Sequence, residues 1–249
     1  MKLGEPLRRR SLVDSTMGWA RAEVERGAAG PGAVYVADAQ FAGRGRHGRT
    51  WSSPVGKGLY LTVVLPETMA APALTLAAAL AAAEAAESHC GVVATIKWPN
   101  DLLHSGRKWG GVLAEVMGVG EAAVVLLGLG LNVSQVKLDF DPSLMNAATS
   151  LALAAGAPVE REGLLTALLE RLEQRLIDFE RGGFPSLAGE YRQRSAFRSG
   201  DRLTVEISTD DVREAIFREV DGAGRLLLDG FPGPLASGSI LRVRSQEAT

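Results

Sequence analysis

The chain has 249 residues, 46% of them hydrophobic and 22% charged, an ordinary globular composition with ample material for a core. A formal net charge of −2 excludes wholesale electrostatic binding to nucleic acid or an anionic membrane, while leaving room for a local basic patch. The single cysteine, Cys90, excludes an intrachain disulfide and a cysteine-based metal site.

The opening stretch MKLGEPLRRRSLVDSTMG has basic residues but no apolar centre, so no secretory signal is expected and a cytoplasmic setting is predicted. MGWARAEVERG predicts a helix with an N-cap among Asp14, Ser15 and Thr16 and its end near Gly27. GAVYVADAQ reads as a strand that runs into a loop, FAGRGRHGRTW. A second strand, GLYLTVVL, closes at Pro66, and an alanine-rich helix follows from about Pro72 to Ser88. Glu84 interrupts that helix, which suits a packed soluble element better than a membrane span. VVATIKW is a strand that enters the turn at Pro99, and GGVLAEVMG and EAAVVLLGLGLNV read as two further strands.

LLTALLERLEQRLIDFERGGF is the clearest helix. Leu164, Leu165, Leu168, Leu169, Leu172, Leu176 and Phe179 form an apolar stripe facing a core, and Gly182-Gly183 stops the helix. Beyond a boundary placed near Ser195–Ser199, the short runs RLTVEIS, REAIFREV, GRLLLDG and ILRVRS alternate with turn residues, the pattern of a small β-barrel.

The loop at positions 41–51 gathers Arg44, Arg46 and Arg49 among Gly43, Gly45 and Gly48. Arginine presents a planar fork of donors matched to phosphate or carboxylate oxygens, and glycine lets backbone approach a ligand. The pair describes a segment that is mobile when empty and folds over an anion, with Trp51 as an anchor. It is neither a P-loop nor a dinucleotide fingerprint. Three further segments bear chemistry: IKWPND exposes Asn100 and Asp101 after a turn, GRKWGGVLAE sets Lys108 before a Gly-Gly pair, and GLGLNV ends a strand in Asn132. Trp98 and Trp109 read as packing residues. His47, His89 and Cys90 have no ligand spacing and read as non-catalytic.

Taken with Ser15-Thr16, Gln40 and ATSL at positions 148–151, these motifs occur in the order found in biotin protein ligases, and the sequence resembles that family over nearly its whole length. The resemblance implies an α+β fold: a mixed β-sheet catalytic domain over residues 1–197 with helices on one side, like class II synthetases, and an SH3-like C-terminal domain over 198–249. It implies formation of biotinyl-5′-AMP from biotin and MgATP, then transfer to a lysine of a biotin carboxyl carrier protein. ATP with Mg²⁺ and biotin would be the small molecules used, with no tightly bound prosthetic group.

Carried onto matching positions, Ser15, Thr16 and Gln40 hydrogen-bond the biotin head group. Met17 stands where many relatives have a polar residue and contributes through its backbone. Arg44, Gly45 and Arg46 cover the biotin carboxylate and phosphates, and Arg49 helps order the loop. Lys108 bridges carboxylate and α-phosphate, while Trp51, Gly111 and Val112 line the pocket. Asn100 is near the reacting centre, and Asn132 on the adenine side. Asp101 either steers the lysine amine or holds Mg²⁺. Arg242 and Arg244 are candidates for contact with ATP or the carrier. The early Ser15-Thr16 leads to an expectation of no DNA-binding function; a homodimer through sheet edges is compatible. A lipoate- or octanoate-attaching enzyme of the same fold, a non-catalytic biotin-adenylate sensor and a small RNA-binding protein are the alternatives weighed.

Overall fold

The computed structural model describes residues 1–118, 123–208 and 210–244. A seven-stranded sheet forms the larger part. In chain order its strands and the first two helices are β1 (Leu7–Val13), α1 (Thr16–Glu25), β2 (Val34–Gln40), β3 (Gly58–Pro66), α2 (Leu74–Cys90), β4 (Thr95–Lys97), β5 (Asp101–His104), β6 (Arg107–Met117) and β7 (Val124–Asn132). The spatial order is β1-β2-β3-β7-β6-β5-β4. The β1–β2 pair is parallel and the other neighbours are antiparallel, so the sheet is mixed.

Strand β1 is an element that sequence patterning did not announce. Its three consecutive arginines look like a solvated charge cluster, yet each has a partner on one or other face. Arg9 pairs with Glu162 at 2.5 Å, whereas Arg8 pairs with Glu23 of α1 at 2.6 Å and Arg10 stacks 4.3 Å over the Trp19 ring. Alternation across the strand thus knits this edge to helices on both sides. Strand β5 was also unannounced. Ser105 and Gly106, both at positive φ, make the tight turn that returns the chain into β6.

Helix α2 is buried nearly all round, because its alanines let it sit between the sheet and α4 (Arg161–Gly182). The leucine stripe of α4 turns inward as expected: Leu164, Leu165, Leu168, Leu172, Leu176 and Phe179 are buried and Leu169 is partly so. Full burial of such a side chain contributes roughly 1.5–3 kcal/mol. Glu160 caps the helix by accepting from Gly163 and Glu162, and Gly183, at positive φ, ends it. These long helices cover one face only. Helix α1 is the correction to a one-sided arrangement: it packs on the opposite face in a second core with Val13, Tyr35, Ala37, Val64 and Leu126.

Two short helices follow β7, α3 (Leu151–Ala155) and, after α4, α5 (Ala188–Arg194). The C-terminal part is a four-stranded antiparallel sheet of β8 (Arg202–Ser208), β9 (Asp211–Val220), β10 (Leu226–Asp229) and β11 (Ser239–Arg244), in the order β10-β9-β8-β11. The expected run ILRVRS extends past it at Ser245, and residues 245–249 lie outside the described residues, as do Glu121 and Ala122 of the expected strand before β7. Trp98 donates to the Gly224 carbonyl at 2.9 Å, and Leu203, Val205 and Phe217 share the apolar core of the large sheet. The C-terminal sheet is therefore fixed against the strand that leads to Asn100 and Asp101.

Candidate active site

A cavity of about 370 Å³ opens on the α1 face of the large sheet. Its floor follows from the sequence of β7. Leu127, Leu129 and Leu131 alternate with Gly128 and Gly130; the leucines enter the α2 core and leave the opposite face bare. The register aligns Thr62, Gly128 and Leu113 in one row, Tyr60, Gly130 and Gly111 in the next, and Gly58 with Asn132 at the end. From Gly128 to Asn132 is a run of roughly 14 Å along the strand.

At the Gly128 end, the α1 N-terminus presents its first residues. Ser15 is the N-cap, its hydroxyl accepting from the Gly18 amide at 2.9 Å. Thr16 donates to Gln40 Oε1 from its backbone N–H at 2.8 Å and from its hydroxyl at 3.2 Å, while Gln40 Nε2 donates to Ser53 at 2.8 Å. Thr62 completes the network by donating to Thr16 Oγ1 at 2.9 Å. Met17 is buried, its methyl covering Gly128: a Cβ built there would stand 2.9 Å from Met17 Cε.

Trp51 lies against the middle of the floor. A Cβ on Gly130 would fall 2.7 Å from its ring, so that position needs a hydrogen where a side chain would be, whereas one on Gly111 would stand in ordinary contact at 3.4 Å. Lys108 Nζ sits 5.3 Å from the Trp51 ring centroid and 2.5 Å from Asp101 Oδ1. Asn100 is buried and braces the same region: its Nδ2 donates to the Val112 carbonyl at 2.8 Å and its own carbonyl accepts from the Val112 amide at 3.0 Å.

The Gly/Arg loop has a defined hairpin conformation, with Gly45 donating to the Arg49 carbonyl and Trp51 to that of Gly43. His47 and Gly48 take positive φ at its tip. Its three arginines have different fates. Arg46 reaches the Gly238 carbonyl at 3.0 Å, and burial pushes its pKa down, opposed by the Asp101 charge. Arg49 pairs with Glu206 of β8 at 3.4 Å. Arg44 turns outward to Glu115, 2.9 Å away, which also holds Arg21 of α1 at 2.8 Å. Five lysine or arginine side chains and two aspartates line the cavity, so its interior favours anions.

Asn132 closes the far end. Its Nδ2 donates to the Thr149 carbonyl at 3.1 Å, and its Oδ1 accepts from Gln135 at 3.0 Å. The ATSL segment has a visible purpose here: the Lys108 amide donates to the carbonyl of Ala147 just before it, the Thr149 amide donates back to the Lys108 carbonyl, and Ser150 caps α3. Phe140 and Leu144 supply an apolar wall.

Of the site residues predicted from the sequence, those from Ser15 to Asn132 line this one cavity, and the two C-terminal candidates, Arg242 and Arg244, do not. Several contributors escaped sequence reasoning, among them Thr62, Phe140 and Leu144. Lys97 lines it with its pKa lowered by burial, and its signal was the KWPND run beside the residues already chosen. Gln135 had no signal beyond following Asn132 by three positions. The C-terminal sheet contributes Ser239, Ile240 and Leu241, whereas Arg242 and Arg244 do not line the cavity. Cys90 and His89 sit at the end of α2 and do not line it either; His47 does, at the loop tip. Burial raises the Cys90 thiol pKa, against a nucleophilic role.

A model of the biotin/lipoate A/B protein ligase family matches residues 11–132. The biotin--[acetyl-CoA-carboxylase] ligase of Mycobacterium tuberculosis is 35% identical over 271 aligned positions, covering 98% of each chain. The bifunctional ligase/repressor BirA of Bacillus subtilis is 37% identical over 186, covering 73% of this chain and 57% of that protein, so the chain spans little more than half the length of that relative. Among solved structures, biotin protein ligase from Aquifex aeolicus in complex with biotin and ATP superposes with a TM-score of 0.81 at 26% identity, over 96% of this chain and 99% of that one.

Proposed function

Because the chain belongs to the biotin/lipoate A/B protein ligase family, we propose that it is an ATP-dependent biotin protein ligase whose two reactions share the cavity above β7. In the first, a biotin carboxylate oxygen bonds to the α-phosphorus of ATP and the bond to pyrophosphate breaks, giving biotinyl-5′-AMP. In the second, a lysine amine of a biotin carboxyl carrier protein attacks the acyl carbon, AMP departs and the amine loses a proton.

The observation that supports this reading most is the order of chemistries along one strand. Donors and acceptors gather near Gly128, cations near Gly130, and a buried amide with apolar neighbours near Asn132. That sequence suits a ureido ring, then carboxylate and phosphates, then a nucleoside. Ser15, Thr16 and Gln40 take the head group, with Met17 and Val112 bounding it. Lys108 is the cation between carboxylate and α-phosphate. Pushing two anions together is the main obstacle in this step, and opposite unit charges 4 Å apart attract by about 4 kcal/mol at an effective dielectric of 20. Arg46 and Arg49 cover the phosphates, and the loop with Trp51 shields the mixed anhydride from water. Arg44 acts through Glu115, as a support for the loop.

Among the described residues no cluster of three His, Cys, Asp or Glu side chains could hold a metal. Mg²⁺ held by phosphates with one or two carboxylates fits, and Asp101 is the carboxylate at the reacting centre; the ion would neutralise phosphate charge. With one oxygen drawn by Lys108, Asp101 has a second with which to orient the lysine amine. Residues 1–197 form the catalytic unit in this reading and 198–249 the unit that clasps its loop, in a cytoplasmic enzyme. Mixing the protein with MgATP, a carrier domain and either biotin or lipoate tests it. Pyrophosphate release and an acceptor mass gain with biotin are expected; activity with lipoate alone would overturn the assignment.

A further inference from the structure

Lys57, the residue before β3, takes no part in the chemistry just described and does not line the cavity, yet it touches the wall at the Asn132 end twice. Its carbonyl accepts from the amides of Val133 and Ser134, at 3.2 and 2.7 Å, where the chain leaves β7. Its ammonium then reaches Asp139 Oδ2 at 3.2 Å. Asp139 also accepts from the Val136 amide at 2.8 Å, and that amide, with Lys57, holds the carboxyl below the usual carboxylate pKa range. Phe140 and Leu144 line the cavity beside Asp139.

Little else holds this wall in place. Among the described residues, the Lys57–Asp139 ion pair is the one polar contact between positions 136–146 and the rest of the fold. The other hydrogen bonds there stay within the segment or join it to the adjoining Ala147 and Ala148. Apolar burial contributes little: Leu138 is 90% exposed and Val136 49%, and Leu144 and Met145 are exposed too. A segment with so few buried contacts opens locally at small cost. Resting on the ligase reading, we propose that Lys57 is a positioning residue, which through Asp139 holds Phe140 and Leu144 against the bound nucleotide. The stretch from Trp51 to Lys57 thus braces the cavity twice, with an indole over its middle and an ammonium on its far wall.

The test measures biotin-dependent pyrophosphate release against ATP concentration for the wild type, Lys57→Met, Asp139→Asn and the double variant. Each single change should raise the KM for ATP about twofold to fivefold, the range an exposed ion pair provides, with kcat and the KM for biotin unchanged. The double variant should be no worse than either single one, since both remove the same interaction. Lys57→Arg should restore the wild-type value, and in about 0.5 M salt variants and wild type should converge as screening weakens the pair. Asp139→Asn separates positioning from simple attraction: were Lys57 only a cation drawing in ATP, freeing it from Asp139 would lower the KM. A lowered or unchanged KM in Asp139→Asn, an unchanged KM in Lys57→Met, or additive effects in the double variant overturns the proposal. If no protein releases pyrophosphate, the ligase reading fails by itself, and trypsin then decides the role of Lys57. Faster cleavage after exposed Lys137 in Lys57→Met and Asp139→Asn than in the wild type sustains it, and equal rates end it.

Discussion

Lys108 Nζ lies 2.5 Å from Asp101 Oδ1, so the hairpin that joins β5 to β6 ties the cavity's central ammonium to a carboxylate. This pairing holds Lys108 over the Trp51 ring and beside Gly111, where it can meet two incoming anions. Replacing Lys108 by alanine should lower adenylate formation about 100- to 1,000-fold, the cost of removing one preorganised group that stabilises transition-state charge. Pyrophosphate release under single-turnover conditions measures it. Unaltered rates would remove Lys108 from the mechanism.

Arg46 and Arg49 both cross from the Gly/Arg loop to the C-terminal sheet, through the Gly238 carbonyl and Glu206. Arg46→Ala should release biotinyl-5′-AMP faster, and Glu206→Gln should do the same more weakly, because its ion pair with Arg49 is exposed. Stopped-flow chase with excess biotin reads the off-rate directly. An off-rate equal to the wild type in Arg46→Ala would show that the clasp does not retain the intermediate.

The two glycines of β7 should respond differently to alanine. At Gly130 the new methyl meets the body of the Trp51 ring at 2.7 Å, whereas at Gly128 it meets the terminal methyl of flexible Met17 at 2.9 Å. Gly130→Ala should displace Trp51, change its fluorescence and raise the KM for both substrates at least tenfold. Gly128→Ala should raise only the KM for biotin, by a few fold, since a methionine tip yields cheaply. Equal effects would show that the floor does not have distinct ends.

Lys97 is placed in the cavity at the expense of stability. Burial lowers its pKa, Lys108 and Arg49 add to that, and Asp101 opposes it. A depressed lysine pKa means that the unfolded chain binds the extra proton between the folded value and about 10.5, so stability rises with pH across that interval. Lys97→Met should raise Tm at neutral pH, with the gain shrinking as pH climbs into the alkaline range, and should slow adenylation. Calorimetric scans at several pH values check the first point; a Tm lowered at neutral pH would refute it.

Much of this site was legible because its chemistry sits at strand ends and in turns, where short motifs keep their order. GLGLNV marked a strand end with two glycines and an amide, and Asp14, Ser15 and Thr16 marked a cap, which the fold assigns to Ser15. Strand β1 was hidden because LRRRSLV takes its strand character from partners such as Glu162, more than 150 positions away. The contacts of Gly238 and Glu206 were invisible for the same reason: the clasp joins segments that only the tertiary fold brings together. Mobility was expected of the Gly/Arg loop, and the hairpin found there comes from pairing of Arg44 with Thr50 and of Gly43 with Trp51, which composition does not reveal.

One consequence of the β7 alternation reaches beyond any single substitution. Because leucines and glycines take turns along it, sliding this strand by one position would thrust bulky aliphatics into the reaction chamber and leave holes beneath α2. Hydrophobic packing and substrate access are thus kept in phase by a two-residue rhythm. A single-residue insertion between Val125 and Leu131 should therefore abolish folding and activity together, while the same insertion at the Ser105-Gly106 turn should spare the core.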